Sequence, residues 1–215
     1  MSSRIIQLDS IETVSGRPFT NPEASRYDLT ILQYMVETLC RIMMRPEAIP
    51  DRPRPYILFL EEIGGRLHRI ALSKPEPLLQ PDDLTVVGFC GKKRAGVDRA
   101  PVDAVDDDLI QEMPQHLHLL SYSTLQLESG NTVNLVLFDQ PAGLAHWAAS
   151  ETHALAVSMS PGYYTVIRLH NAWLPGGLRS DNKLILLRTK YYDFQDRTPW
   201  RAVREFQPSA YQHQN

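Results

Sequence analysis

The sequence predicts an α+β protein, antiparallel sheets with helices packed on one face. Three observations carry this. Between Leu119 and Phe194 two hairpin signals bracket one helical segment. From Leu29 to Met43 apolar residues recur at three- and four-residue steps. Along the chain, strand and helix patterns follow one another as β-α-β-β, β-α-β-β and α-β-β. The first two units share that order without sharing residues.

The elements follow in order. Arg4–Val14 is weakly strand-like, with Ile5, Ile6, Leu8 and Ile11 among polar residues. Asn21 and Pro22 are placed as N-cap and first helical residue. The stripe Leu29, Leu32, Met35, Val36, Leu39 and Met43 then runs to a stop at Pro46. A Pro-rich connection, EAIPDRPRPY, is expected to be extended. Tyr56–Ser73 reads as a hairpin around Gly64-Gly65. After the Pro-rich loop Lys74–Asp83 comes the strand Leu84–Lys93, apolar at Val86, Val87, Phe89 and Cys90. Asp103–Met113 is a short helix whose acids Asp106, Asp107 and Asp108 suit the positive end of the helix dipole. In Leu119–Phe138 apolar and polar residues alternate with a period of two around a Ser-Gly turn. At Pro141 the period changes to that of a helix, Pro141–Ser160. Strands Tyr163–Leu174 and Lys183–Phe194 flank a Pro-Gly-Gly turn. After Arg197 the periodicity is lost, and Trp200 and Phe206 are expected to dock a loose tail onto the body.

Composition narrows the function classes. The chain has 215 residues, 43% hydrophobic and 22% charged, with a net charge of −3. Those values suit an ordinary globular protein with a sizeable core and argue against a nucleic-acid partner, which needs a basic face. No apolar run reaches membrane-spanning length, and the first residues lack the apolar segment of a secretory signal. The expectation is therefore no membrane association and a cytoplasmic location. With only Cys40 and Cys90 there is no disulfide framework and no cysteine-rich zinc site. GFCGKKRAG lacks the pattern of a phosphate loop, and no GxSxG or HExxH motif occurs.

The run βαββαβ from Leu84 to Leu174 matches the ferredoxin-like order. Three units follow: a β-α-β-β unit at 1–83, a ferredoxin-like α/β-barrel unit at 84–197 and an irregular tail at 198–215. The segment AHWAASETHALAVSMSPGYYTVIRLHNAWL, after a hairpin, resembles the second half of the dimeric α/β-barrel proteins, which include antibiotic-monooxygenase-like, haem-degrading and stress-responsive members. In these a helix with Trp and His, here Trp147 and His153, precedes the last strand. The resemblance implies two ferredoxin-like layers packed face to face, as a homodimer or within one chain, and a ligand cavity between sheet and helices. The extra N-terminal helix and hairpin and the strand Lys183–Phe194 depart from that pattern. The N-terminal unit is a candidate to fill the partner's place.

Candidate site residues come from spacing. His146, Ser150 and His153 step by four and three and would share one helical face. That face either lines a pocket, with His146 and His153 as acid, base or ligand, or is simply solvated. His146 and His153 are about 10 Å apart along a helix, too far for one metal ion. His116 and His118 form an H-x-H pair at a strand entry, and no further ligands are recognisable, so no metal site is assigned. Arg168 and His170, with Arg188, Lys190 and Tyr192, are expected to form one cationic sheet face. That face either holds a ligand's carboxylate or phosphate or makes cross-strand charge pairs. Cys90 reads as a core residue. Two functions remain open, and the sequence names no cofactor for either. One is a small-molecule protein, a cofactor-independent or haem-linked oxygenase by the resemblance. The other is a non-catalytic oligomerising or partner-binding protein.

Overall fold

The computed structural model describes residues 5–45, 54–196 and 198–207. Most of the Pro-rich connection after the first helix, Arg197 and the end of the tail lie outside them. Nine strands form one sheet: β1 (Ile6–Leu8), β2 (Tyr56–Glu62), β3 (Arg66–Leu72), β4 (Leu84–Lys93), β5 (Leu119–Gln126), β6 (Thr132–Phe138), β7 (Tyr164–Leu174), β8 (Ile185–Asp193) and β9 (Trp200–Glu205). Their order is β1-β9-β8-β7-β4-β6-β5-β3-β2. All neighbours are antiparallel except β1 and β9. The helices are α1 (Pro22–Met43), α2 (Pro75–Leu78), α3 (Ala100–Glu112), α4 (Pro141–Ala148) and α5 (Glu151–Tyr163).

The centre is ferredoxin-like. β4, α3, β5, β6, the α4–α5 pair and β7 follow in sequence, and the strands lie as β7-β4-β6-β5. β6 is inserted between β4 and β5, which run parallel, the split βαβ arrangement. The hairpin β2–β3 extends this sheet by pairing β3 with β5, and β8 extends it from β7. The sheet is therefore single and open, and among the described residues there is no second sheet layer and no closed barrel. The expected loose tail is partly a strand. β9 pairs with β8 and with β1, so both ends of the chain join one sheet edge.

Helices cover both faces, not one. Alternate residues of the central strands are apolar on each side. Val86, Leu135, Ala172 and Ile70 pack with Leu32, Met35, Val36 and Leu39 of α1. Val87, Val136, Phe138 and Ala71 pack with Leu109 and Ile110 of α3 and Trp147 of α4. α1 starts where the sequence places it: the Asn21 side chain accepts from the Glu23 N–H at 2.9 Å, and Pro22 is the first residue. Its approach to the sheet depends on Gly88, where any Cβ would clash with the Leu32 side chain.

The edge at β9 is fastened by Arg204, which is fully buried. Its guanidinium donates to the carbonyls of Asp9 (2.8 Å), Thr20 (2.9 Å) and Glu12 and to the Tyr191 hydroxyl (2.6 Å). These four acceptors satisfy a buried cation without a carboxylate. Trp200 docks on Phe19 edge-on and under Arg17. Leu39 has no exposure. Leu39→Ala is expected to destabilise the protein by about 2–5 kcal/mol in urea denaturation, and a change under about 0.5 kcal/mol would show that α1 does not build the core.

Candidate functional site

The helix-side sheet face changes character along the β5–β6 hairpin. Near α4 it presents Leu119, Tyr122, Val136 and Phe138, which the helices bury. Toward the turn, the same face carries Thr124, Gln126, Thr132 and Asn134. A polar surface does not draw a helix down onto it, and a cleft of about 280 Å³ opens there. Its floor is these four residues. One wall is the start of α3 with Arg99, Val102, Asp103 and Asp106. The ends are Phe59, Leu67 and Arg69 of β2–β3 and Lys93 and Tyr164 of β4 and β7. Phe59 and Leu67 are 63% and 47% exposed beside it.

A hydrogen-bond chain stiffens the inner part. The Tyr122 hydroxyl donates to Asp106 at 2.7 Å and accepts from Asn134 Nδ2 at 2.6 Å. Arg69 holds Asp106 and also Asp107, the latter at 2.8 Å. Burial, then the Asp106 carboxylate, pushes the Tyr122 phenol well above its ordinary range. Burial also raises the Tyr164 phenol, against the opposing pull of Arg99. Two floor atoms, Thr124 Oγ1 and Asn134 Oδ1, are shut off from solvent and have no hydrogen-bond partner among the described residues. Each such atom costs about 1–3 kcal/mol.

The residues singled out from the sequence fall into three places. His146, Ser150 and His153 do not share one helix face, because the expected single helix breaks between Ala148 and Glu151. Ser150 caps α5, accepting from the His153 N–H at 3.1 Å, and this cap is what restarts the helix. His146 and His153 nevertheless meet the H-x-H pair around Trp147. The Trp147 ring lies 5.0 Å from His116 and 5.6 Å from His153, and His118 stacks on His146 at 6.3 Å. Burial, then His116, holds His153 below its ordinary pKa. His118 Nδ1 is engaged by Asp139 at 2.9 Å. Gly143 lets α4 sit this close, since a Cβ there would strike the His118 side chain.

The expected cationic face is split by the pleat. Arg168 and His170 point toward α1, whereas Arg188 and Tyr192 alternate to the other side. In the β7–β8 register Arg168 opposes Tyr191 and Asn171 opposes Arg188. Arg188 pairs with Glu205 at 2.6 Å, both about half exposed, and Tyr192 stacks on Phe194. Arg168 and His170 converge on buried Asp28 of α1: Arg168 donates from Nε at 2.5 Å and Nη2 at 2.8 Å, and His170 Nε2 lies 2.8 Å away. Thr189 takes the other ring nitrogen at 2.9 Å. Asp28, Cys90 and His170 bring three possible metal-ligand atoms within 4.8 Å of one another, all buried. The guanidinium already supplies the positive charge there, so the cluster is a satisfied structural network rather than a cation site. Cys90 is in the core as expected, its thiol pushed well up by burial.

Sequence reasoning missed the cleft residues Arg69, Asp106, Tyr122 and Asn134. Their separation along the chain hides them. The available signal was the polar half of the period-two face at Thr124, Gln126, Thr132 and Asn134.

No protein-family model matches the chain, and no curated protein matches it. Among the solved structures that match part of the chain are two of low similarity. One is described as the structure of Rv0793 from Mycobacterium tuberculosis, 14% identical, with a TM-score of 0.35 over 41% of this chain and 92% of that one. The other is an antibiotic biosynthesis monooxygenase, 16% identical, with a TM-score of 0.34 over 48% of this chain and 95% of that one. No helix among the described residues is long and apolar enough to cross a membrane.

The Asp28 network has a pH signature. Burial alone would raise the carboxyl, but hydrogen bonds and charge from Arg168 and His170 outweigh it, and its pKa is lowered. The stabilisation is present above the ordinary carboxylate value of about 4 and is lost as pH falls through the lowered one. Asp28→Ala is expected to cost about 3–5 kcal/mol at neutral pH, because it strands Arg168. The difference from wild type should shrink in acid unfolding below about pH 4. A neutral-pH loss below about 1 kcal/mol would contradict a buried ion pair.

Proposed function

We propose that this protein binds a small organic molecule in the cleft between α3 and the polar end of the β5–β6 hairpin. The observation that carries this is a concave cleft with a polar floor, Thr124, Gln126, Thr132 and Asn134, between aromatic ends at Phe59 and Tyr164. A concave site that combines apolar and aromatic walls with a few polar groups is what a small organic ligand needs. α1 covers the sheet face opposite the cleft, the face that a second copy covers in the dimeric barrels the sequence resembles.

The resemblance adds a reaction class, oxygenation of the bound molecule. The lining offers no histidine, cysteine or methionine for a haem iron, and burial keeps the phenol of its one tyrosine, Tyr164, from ionising, so the residues do not fit a haem-linked site. Among the oxygenase readings the cofactor-independent one is compatible with the lining. In that chemistry Asp106 is an engaged rather than a free base, because Arg69 and Tyr122 already occupy it. Binding is therefore the stronger conclusion. A partner-binding role would use the exposed Phe59 and Leu67, but both border the concave cleft and serve it as rim.

The reading is tested by NMR titration of the labelled protein with a panel of single-ring phenols, aromatic amides and aromatic acids. Binders should shift the amides of 99–107, 122–134 and 164 and leave those around Trp147 unmoved. Asn134→Ala should weaken such binders by about tenfold, the worth of one buried hydrogen bond. Binders that map to His153 and Trp147, or no binding across the panel, would remove the cleft as the site.

A further inference from the structure

The charges of the cleft do not cancel pair by pair. Arg69 is held by Asp106 and Asp107, and Arg99 by Asp103 at 3.2 Å. Lys93 is left over. Its ammonium donates to the Gly130 carbonyl at 2.7 Å, and among the described residues no carboxylate lies within ion-pair distance of it. An ammonium has three donors, so two remain. Lys93 is also fixed in place. The β4–β7 register shifts between Lys92 and Lys93, and the Lys93 N–H donates to Asn131 Oδ1 at 2.9 Å, which pins the backbone at that end of β4. Burial, then the nearby guanidinium of Arg99, pulls the lysine's pKa down. Two cations are thus held close together at the Tyr164 end, with one carboxylate between them.

Resting on the reading of the cleft as a binding site, we infer that its Lys93 end is an anion subsite and that the ligand is a small amphipathic carboxylate. The ligand's charged group lies against Lys93 and Arg99. Its body runs along Tyr164 and Val102, and a hydroxyl or N–H at the far end meets Thr124 and Asn134. One ammonium with free donors, in a cleft whose charges balance overall, matches a monovalent carboxylate better than a phosphate dianion. The volume of about 280 Å³ suits a single-ring acid. Neither Lys93 nor Arg99 stood among the site residues expected from sequence, because KKR after a strand reads equally as a solvated loop.

The test uses 4-hydroxybenzoate, its neutral counterpart 4-hydroxybenzamide and inorganic phosphate, each titrated by NMR into wild type, Lys93→Met and Lys93→Arg. The acid should bind wild type at least about tenfold more tightly than the amide, with shifts at Lys93 and Tyr164. Lys93→Met should bring the two within about twofold, and Lys93→Arg should keep most of the preference. Equal affinity for acid and amide in wild type overturns the anion subsite and leaves the cleft reading standing. An undiminished preference in Lys93→Met overturns the role of Lys93. Phosphate binding more tightly than the acid overturns the carboxylate assignment. Absence of cleft shifts with all three probes overturns the subsite and the cleft together.

Discussion

The sheet of this protein is apolar on both faces, and everything else follows from the need to cover both. A half-buried antiparallel sheet needs helices on one side only. Here β4, β6 and β7 carry Val86, Leu135 and Ala172 on one side and Val87, Val136 and Leu169 on the other. The ferredoxin-like helices α3, α4 and α5 account for the second set. The first set is covered by α1, a helix from outside that unit, pressed into the space left by Gly88. Its position is then fixed by polar contacts that tolerate little movement. Asp28 is aimed at Arg168 and His170, and Ser25 lies 3.0 Å from the Tyr191 hydroxyl, which in turn accepts from Arg204. These bonds hold α1, β7, β8 and β9 in one register.

The cleft is the complement of that packing. α3 and α4 follow the apolar part of the β5–β6 face and leave the polar part uncovered. Charges at the start of α3 lean over the opening instead, where Arg69 and Asp106 neutralise one another next to Tyr122. The result is a concave surface with paired charge inside, aromatic residues at its ends and one lysine whose ammonium keeps free donors. The cluster of histidines around Trp147 lies on the same side of the sheet and packs between it and the α4–α5 pair. His118 is tied to Asp139, and His116 and His153 bury their rings against the indole.

The alternation of β5 and β6 and the stripe of α1 are local patterns that form the elements they predict, and the switch to helical period at Pro141 marks a helical segment that breaks in two at Ser150. Local patterning also showed Cys90 in a strand buried on both sides. The same reasoning failed where one residue had two uses. Ser150 was read as part of a polar face, yet its hydroxyl caps a new helix. Arg168 and Arg188 are cations on neighbouring strands, but the register pairs Arg168 with Tyr191 and Arg188 with Asn171, so the pleat sets them on opposite faces. Trp200–Glu205 lacked periodicity because β9 buries Arg204, a charge where a pattern search looks for an apolar residue.

The sequence by itself determined the class of fold, the order of its elements and the core stripe, because these depend on periodicities of two and 3.6 that neighbouring residues impose on one another. The tertiary structure alone decided that the two hairpin units join one open sheet, that α1 takes the second face, and that Arg69, Lys93, Asp106, Tyr122 and Asn134 meet in a cleft. Those residues come from β3, β4, α3, β5 and β6. Their meeting is set by strand order and helix crossings, which no short window of sequence contains.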